Sequence, residues 1–205
     1  MIKWKKQPIF PGTDLKNEKK GRTMRVISGE RRGMTLVGPR KSQKTRPTRD
    51  QIKETVFDIL GPLSKGLTCL DLFAGSGQIG IEFLSRGCDY AIFIEQSGPM
   101  VGVIKENLEK TRYGDRSLIL HGDYRRRLDD LGRKVDLVYI DPPYGMKMVE
   151  EALDLILKKE VLNPDAILVV ESSSEEEITI PPTFTVLRTR AQKFNRIHVL
   201  KESIQ

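Results

Sequence analysis

The chain has 205 residues, of which 38% are hydrophobic, with 35 Lys and Arg against 28 Asp and Glu and a formal net charge of +7. This length predicts one main core with a small addition rather than two full domains, and a monomer is expected. No apolar run approaches the length of a membrane span, so a cytoplasmic protein without a membrane partner is expected. The two cysteines and two histidines lack a metal-type spacing, which predicts reduced thiols and no metal site.

The positive charge is concentrated at the start of the chain. Residues 1–50 hold 15 Lys and Arg against 4 Asp and Glu, whereas the remaining residues hold 20 against 24. Because a Lys or Arg that neutralises a phosphate releases counterions, this block predicts a polyanion partner, and a solvated basic tail is the alternative. The side chains predicted to contact RNA are Arg31, Arg32, Lys44, Arg46 and Arg49.

The first elements form a small N-terminal unit. Residues 1–23 lack periodicity, so Met24 could be the natural start, and the next fifteen residues alternate and turn at glycines, which predicts a β-hairpin. A helix is predicted from Thr48, which has the spacing of a capping box with Gln51. The predicted organisation is a flexible basic extension at 1–23, an RNA-contacting hairpin and helix at 24–62, and the main α/β domain at 63–205.

Apolar runs alternate with helical periodicity in the main domain, which is typical of a parallel sheet with helices on both faces. Strands are predicted within 67–73, 91–95, 117–123, 135–141 and 166–172, and helices over 78–85, 99–110, 124–131 and 146–158. Two further β-prone runs, 184–192 and 196–202, predict a closing antiparallel hairpin, and "ESSSEEE" before them is interpreted as a solvated loop. The predicted fold is a Rossmann-like α/β fold with a mostly parallel seven-stranded sheet, an antiparallel hairpin at its end and a small N-terminal appendage.

The stretch "DLFAGSGQIG" closes the first strand of this sheet and opens the next helix. Gly75, Gly77 and Gly80 have the G-x-G-x-x-G spacing, and Glu95 ends the next strand, where a ribose-binding acid belongs. Asp71 decides between cofactors, because its carboxylate would repel the pyrophosphate of a dinucleotide and would favour the ammonium and sulfonium of S-adenosylmethionine. We therefore expect S-adenosylmethionine as the cofactor.

The stretch "IDPPYG" follows another buried strand and should face the same crevice. If Asp141 and the carbonyl of Pro142 accept hydrogen bonds from an exocyclic amine of a nucleobase, the nitrogen lone pair is freed to attack a methyl group. The fixed φ angles of Pro142 and Pro143 would hold these acceptors in place. Tyr144 could stack on the base once it has left its own stack.

These residues carry a resemblance to a known family. "DPPY" is similar to the catalytic motif of methyltransferases that act on exocyclic or amide nitrogens, and "MRVISGERRGMTLVGP", "TRPTRDQIKETVFDIL" and "DLFAGSGQIGIEFLSRG" together resemble the RsmD family of bacterial 16S ribosomal RNA guanine-N2 methyltransferases. The resemblance spans Met24 to about Val199 and implies that Thr45 to Thr48 lie near the cofactor and RNA entrance. It implies cofactor contacts from Asp71, Phe73, Ala74, Gly75, Gly77, Glu95, Gln96, Asp123 and Tyr124. It implies catalysis at Asp141, Pro142, Pro143 and Tyr144.

Three features of the sequence can be interpreted in a second way. Phe194-Asn195 replaces the Tyr-Gly that the family tends to have, and a left-handed Asn195 would preserve the turn. Asp123 could be only the N-cap of the following helix. The "YRRRL" run at that helix is interpreted as an exposed face, with a second RNA contact as the alternative.

The predicted function is S-adenosylmethionine-dependent methylation of a guanine N2 in 16S rRNA, free or in the assembling small subunit. A DNA adenine-N6 methyltransferase would share the chemistry but normally carries an added target-recognition domain. A non-catalytic RNA-binding or assembly factor with the same fold is disfavoured by the intact acid, prolines and tyrosine. An NAD-dependent oxidoreductase ranks last because of Asp71.

Overall fold

The computed structural model describes residues 24–38, 49–143 and 147–203. Within these ranges the predicted alternation of strands and helices is confirmed. The strands are β1 Met24–Arg25, β2 Thr35–Leu36, β3 Thr68–Asp71, β4 Tyr90–Glu95, β5 Ser117–His121, β6 Val135–Ile140, β7 Leu162–Ser173, β8 Phe184–Ala191 and β9 Asn195–Glu202. The helices are α1 Arg49–Leu60, α2 Gln78–Ser85, α3 Gly98–Thr111, α4 Tyr124–Arg127 and α5 Met148–Lys158.

Seven of the strands form one sheet in the order β5-β4-β3-β6-β7-β9-β8. The first five in chain order pair in parallel, whereas β9 is antiparallel to both β7 and β8. The chain leaves β3 towards β4 and β5 on one side and returns to β6 and β7 on the other. This reversal makes the carboxyl ends of β3 and β6 the switch point of the sheet, where α/β proteins bind their ligands.

The apolar residues of the sheet are covered on both faces. The side chains of α4 and α5 pack on one face in a cluster that includes Leu70, Ile92 and Val138. The N-terminal hairpin, α1, α2 and α3 pack on the other face in a cluster that includes Phe93 and Val169. Because neighbouring residues of a strand point to opposite faces, these strands are apolar throughout rather than alternating.

The N-terminal hairpin is docked on α2. Val26 and Leu36 are buried in the core, and the backbone N–H groups of Ile27 and Ser28 donate to the carboxylate of Glu82, each at 2.9 Å. Lys53 of α1 lies 3.9 Å from the same fully buried carboxylate. The carboxylate therefore joins three elements, and the hairpin shares a core with the sheet that follows it.

Two sequence interpretations near β7 are wrong. The "ESSSEEE" run is not wholly a solvated loop, because Glu171 to Ser173 belong to β7 and pair with β9, and Glu171 and Ser172 are buried. Asn195 does not take a left-handed backbone but begins β9, with its side chain buried. In both cases polar residues indicated a loop or turn, whereas these residues form their hydrogen bonds inside the sheet.

The helix predicted over 124–131 is α-helical only in α4 and continues as a 3-10 turn over Leu128–Asp130. Gly132 follows with a φ of 69°, which ends the segment. Cys69 and Cys88 are free and buried, and burial raises the pKa of the Cys69 thiol. None of the helices within the described ranges is long and apolar enough to cross a membrane.

Candidate active site

The two motifs predicted to form one site lie on adjacent central strands. Asp71, the last residue of β3, pairs in register with Tyr139 of β6, and Asp141 follows β6 directly. The backbone N–H of Leu72 donates to the carbonyl of Tyr139 at 3.0 Å, which fixes the exit of β3 against β6. The glycine loop and the Asp-Pro-Pro segment are therefore brought together at the switch point of the sheet, as the sequence predicts.

The glycine loop passes over the ends of β3 and β4. Ala74, which is buried, donates its N–H to the carbonyl of Ile94 at 2.9 Å. Gly75 has a φ of 54°, which side chains disfavour, and a Cβ there would meet no atom within 4 Å. The loop thus presents bare backbone to open space at Gly75, where a ligand could approach closely.

Gly80, the third glycine of the pattern, is required by packing. A Cβ at Gly80 would lie 2.3 Å from the ring of Phe93, which is fully buried in β4. Its backbone N–H donates to the Asp71 carboxylate at 3.1 Å. The glycine therefore lets α2 approach the sheet and lets its first turn reach the acid at the end of β3.

The carboxyl group of Asp71 is buried at the base of the loop, with 2% of the residue exposed. Burial disfavours the charged form and raises the pKa of Asp71 to about 7, the hydrogen bond from Gly80 opposes this shift, and the charge of Glu95 adds to it. A cation bound beside this group would favour its ionised form. The site is therefore matched to a positively charged ligand group and opposes an anion.

Glu95 at the end of β4 is oriented by the backbone around it. Its carboxylate accepts hydrogen bonds from the N–H of Gly75 at 2.6 Å and of Ser97 at 2.7 Å. A carboxylate has about four acceptor positions, so two bonds leave capacity for ligand hydroxyl groups. Gln96 beside it is exposed, and its backbone carbonyl lies 3.2 Å from Nε2 of His121.

Asp123 and Tyr124 follow β5 at the same edge of the sheet. Asp123 caps α4, since its side chain accepts from the N–H of Arg125 at 2.9 Å, and the N-cap interpretation is confirmed. Tyr124 is buried, donates its hydroxyl to Glu151 at 2.9 Å and has its ring 4.9 Å from that of Phe73. Burial raises the pKa of Tyr124. Tyr124 thus packs against Phe73 of the glycine loop. Direct ligand contact by Asp123 and Tyr124 stays a prediction.

The Asp-Pro-Pro segment leaves β6 at the centre of the same edge. Asp141 is partly exposed, Pro142 is buried and Pro143 is exposed. Tyr144 lies outside the described residues. The Asp141 carboxylate is partly accessible and its neighbour Pro142 is anchored in the interior, so this carboxylate can contact a ligand that enters from solvent.

A buried polar network behind this segment was missed by sequence reasoning. The hydroxyl of Tyr139 donates to the Glu171 carboxylate at 2.5 Å, and the side-chain amide of Asn195 donates to it at 2.8 Å. Since Ile140 pairs with Val170, the parallel register places Glu171 beside Asp141. Burial and the charge of Glu171 raise the pKa of Tyr139. An acid at the end of an apolar run was the available signal, as it was for Asp71 and Glu95.

The basic residues predicted to contact RNA differ in their exposure and in their contacts with the rest of the protein. Arg31 is partly engaged by the protein: its Nε donates to the carbonyl of Thr111 at 2.9 Å, and it forms an ion pair with Glu30. Arg32 is exposed at the hairpin turn. Arg49 begins α1, and Lys44, Arg46 and the Thr45 to Thr48 stretch lie outside the described residues. RNA contact by these side chains stays a prediction.

Two of the three arginines in the "YRRRL" run are ion-paired, and the third, Arg126, is exposed. Arg125 contacts Glu151 at 2.6 Å and Asp123 at 3.0 Å, and Arg127 contacts Asp130 at 2.7 Å. No group of three or more His, Cys, Asp or Glu side chains that could hold a metal ion occurs within residues 24–38, 49–143 and 147–203.

Comparisons with known proteins agree with this architecture. A family model described as conserved hypothetical protein 95 matches residues 24–201. A candidate rRNA methyltransferase of Bacillus subtilis, YlbH, is 35% identical over 158 residues, which cover 76% of this chain and 85% of that protein. The ribosomal RNA small subunit methyltransferase D of Escherichia coli K12 is 32% identical over 168 residues, which cover 82% of this chain and 84% of that protein. The solved structure of a candidate methyltransferase from Escherichia coli, yhhF, has a TM-score of 0.78 and 27% identity, and the alignment covers 89% of this chain and 99% of that one.

Proposed function

Since this chain belongs to the RsmD family, that of ribosomal RNA small subunit methyltransferase D, we propose that it methylates the exocyclic N2 of a guanine in small-subunit ribosomal RNA with S-adenosylmethionine as methyl donor. The observation that carries the proposal is the meeting of two motifs at the switch point of the sheet. The buried Asp71 and the glycine loop end β3, and Asp141 with its two prolines ends the adjacent β6. One motif suits a cationic cofactor and the other suits an amine.

The residues present fit S-adenosylmethionine. The buried Asp71 carboxylate, whose pKa is raised to about 7, is stabilised in its ionised form by a nearby cation, and this ligand is cationic. Gly75 leaves open space for a ligand against the backbone, and Glu95 retains acceptor capacity for ribose hydroxyls. When bound, S-adenosylmethionine supplies an electrophilic methyl group. We propose that Asp71, the loop Phe73 to Gly77, Glu95, Gln96, Asp123 and Tyr124 hold or support it.

The residues after β6 would prepare the amine. An exocyclic amine is a weak nucleophile because its lone pair is delocalised into the ring. Acceptance of its N–H bonds by Asp141 and the Pro142 carbonyl would turn the lone pair out of the ring plane, and Pro143 would restrict the segment further. Tyr144 would stack on the base. In this mechanism Asp141 orients the amine and stabilises developing positive charge, and it need not remove a proton first. The methylated amine would lose its extra proton to solvent after transfer.

The residues behind Asp141 would keep this geometry fixed. Glu171 has its carboxylate held by Tyr139 and Asn195 on the strand next to β6, in a buried setting. A catalytic group performs best when its own surroundings are fixed by packing and hydrogen bonds. The negative charge collected at this edge would also stabilise the positive charge that forms on the methylated amine.

We propose that residues 24–62 contact RNA, with the exposed Arg32 in the turn of the N-terminal hairpin as the clearest candidate. This turn packs against Ser85 and Thr111, the last residues of α2 and α3, so Arg32 would contact RNA at a distance from the target base. The hairpin that carries it is firmly held by Glu82. A rigid support reduces the ordering that binding demands of the protein.

Labelled methyl transfer from S-adenosylmethionine tests the proposal. Wild type should label unmodified small subunits or free small-subunit rRNA, and it should leave duplex DNA unlabelled. Asp141→Ala should lose at least roughly a hundredfold in rate while its affinity for S-adenosylmethionine, measured by calorimetry, stays within about twofold. Labelling of DNA instead of RNA would contradict the substrate, and an Asp141→Ala variant with wild-type rate would contradict the mechanism.

A further inference from the structure

A second basic segment lies at the other end of the chain. Residues 178–201 contain five basic side chains and no Asp or Glu, whereas residues 51–205 as a whole hold 20 Lys and Arg against 24 Asp and Glu. The five are Arg188, Arg190, Lys193, Arg196 and Lys201. The first four belong to the β8–β9 hairpin near or at its turn. The hairpin therefore carries a local positive charge within an otherwise acidic body.

The hairpin is also the most exposed apolar part of the described structure. Within the described ranges the exposed large hydrophobic residues are Val186 at 45%, Leu187 at 52% and Phe194 at 56%, all on this hairpin. Every residue of β8 after Phe184 is exposed. Phe194 stands at the turn with Nζ of Lys193 5.1 Å from its ring centroid. An exposed ring among basic side chains is typical of surfaces that bind single-stranded nucleic acid.

The arginines of the hairpin are available for a ligand. Arg188, Arg190 and Arg196 form no ion pair with any residue that the structure describes. By contrast, the side chains of Arg31 and Arg125 are bound to carboxylates of the protein itself. A paired arginine must give up its partner before it can bind a phosphate, whereas an unpaired one need not. The hairpin arginines are thus better prepared for a phosphate than Arg31, Arg125 and Arg127.

The hairpin turn adjoins the catalytic edge of the sheet. Asn195 pairs with Ser173 at the end of β7, and the carbonyl of Phe194 accepts from the N–H of Ser174 at 3.1 Å. Only β7 separates β9 from β6, and strands are about 4.8 Å apart, so the turn begins roughly 10 Å from the segment that carries Asp141. A base beside the target base is within reach of Phe194 at that distance.

The basic side chains of β8 share a face with the site. Arg190 and Glu171 both pair with Ile197, and Arg188 pairs with Val199, so the two arginines point to the face of the sheet that holds Tyr139 and the Glu171 network. Glu175 and Glu177 are exposed in the segment after β7, next to the turn. The two arginines of β8 thus lie away from these acidic side chains, and the turn itself offers an aromatic ring.

We propose that the β8–β9 hairpin is a second RNA contact, in which Arg188 and Arg190 bind phosphates of the unpaired strand that enters the site and Phe194 stacks on a base next to the target. This inference rests on the proposed function, because it takes RNA as the substrate. Unpaired RNA suits the surface, since a base that is methylated on its amine must leave its stack and its neighbours are then accessible for stacking.

Three variants separate the parts of this surface. Arg188→Gln/Arg190→Gln removes two charges while keeping side-chain length, Phe194→Ala removes the ring, and Phe194→Tyr restores it. Arg133→Gln/Lys134→Gln is the matched control, because these two exposed residues precede β6 at the opposite edge of the sheet. The readouts are RNA affinity at several salt concentrations, affinity for S-adenosylmethionine, and the rate at saturating RNA.

The hairpin double variant should reduce the slope of log affinity against log salt concentration by up to roughly 1.4, because each phosphate contact to single-stranded RNA contributes roughly 0.7 to that slope. Phe194→Ala should lose roughly tenfold in RNA affinity with an unchanged salt slope, and Phe194→Tyr should recover it. Affinity for S-adenosylmethionine and the rate at saturating RNA should match wild type for the double variant and for the control.

A hairpin double variant whose slope matches that of the control, together with wild-type affinity in Phe194→Ala, would overturn the inference. Sedimentation of the variants without RNA gives a further outcome. If the hairpin variants sediment as a smaller species than wild type and bind RNA as wild type does, the inference is also overturned, since β8 would then pair with a second copy of the chain. Failure of the proposed function looks different, because wild type itself would then bind S-adenosylmethionine but no RNA.

Discussion

Replacing Asp71 with asparagine removes the charge that the site keeps buried for a cationic ligand. In the folded chain the pKa of Asp71 is raised from 3.8 to about 7 by burial, so folding opposes ionisation of this group. Between these two values the folded chain holds a proton that the unfolded chain has lost. The free energy of unfolding therefore falls as pH rises from about 4 to about 7, and the loss is complete above that range.

The size of the effect follows from the shift. A difference of roughly three pKa units corresponds to about 4 kcal/mol, which is an upper limit because the site can relax around the charge. Asp71→Asn cannot ionise, and its carbonyl can still accept the N–H of Gly80. We expect it to be more stable than wild type at pH 8 by about 1–4 kcal/mol and to differ little at pH 4, while its affinity for S-adenosylmethionine falls at both.

Urea unfolding of both proteins at pH 4 and pH 8 measures this difference. Calorimetry adds a second test, because cofactor binding near pH 6.5 should release a proton from wild type and none from the variant. Two buffers of different ionisation enthalpy reveal that proton. A stability difference that is the same at both pH values, with no proton released by wild type, would refute the reasoning about Asp71.

Two substitutions test the packing that forms the site. Gly80→Ala should destabilise the chain by about 1–3 kcal/mol in urea unfolding, because the new Cβ would lie 2.3 Å from a buried ring. The control is Gly102→Ala on α3, where the new Cβ would meet no atom within 4 Å, and it should be neutral or stabilising by up to about 1 kcal/mol. Equal effects at the two glycines would contradict the close approach of α2. Tyr139→Phe should lower the free energy of unfolding by about 1–3 kcal/mol, because it removes a hydrogen-bond donor from the buried Glu171 carboxylate. If this variant unfolds at the same urea concentration as wild type, the hydrogen bond contributes nothing to stability.

The fold was predictable because its strands and helices carry strong periodic signals. Buried parallel strands read as apolar runs. The glycine spacing predicts a short, tight connection from Asp71 at the end of β3 to the start of α2 at Gln78. The same regularity predicts that Asp71 and Asp141 lie at one site, since the carboxyl ends of parallel strands share one edge. The register of β3 and β6 confirms that inference.

The rest of the site depends on contacts that have no local pattern. Glu171 ends a predicted strand and begins a polar run, and only pairing with β9 shows that it is buried and bound to Asn195. Arg31 reads as a free basic residue, but the folded hairpin places its side chain against the end of α3. Such partners lie tens of residues away in sequence, so periodicity and composition cannot reveal them.

Identification of the methylated nucleoside tests the central claim most directly. Unmodified small subunits and free small-subunit rRNA are incubated with the protein and labelled S-adenosylmethionine, then digested to nucleosides and separated by mass. The account predicts label in N2-methylguanosine from wild type and none from Asp141→Ala. Label in a methylated adenosine, or in guanosine methylated at a ring nitrogen, would contradict it.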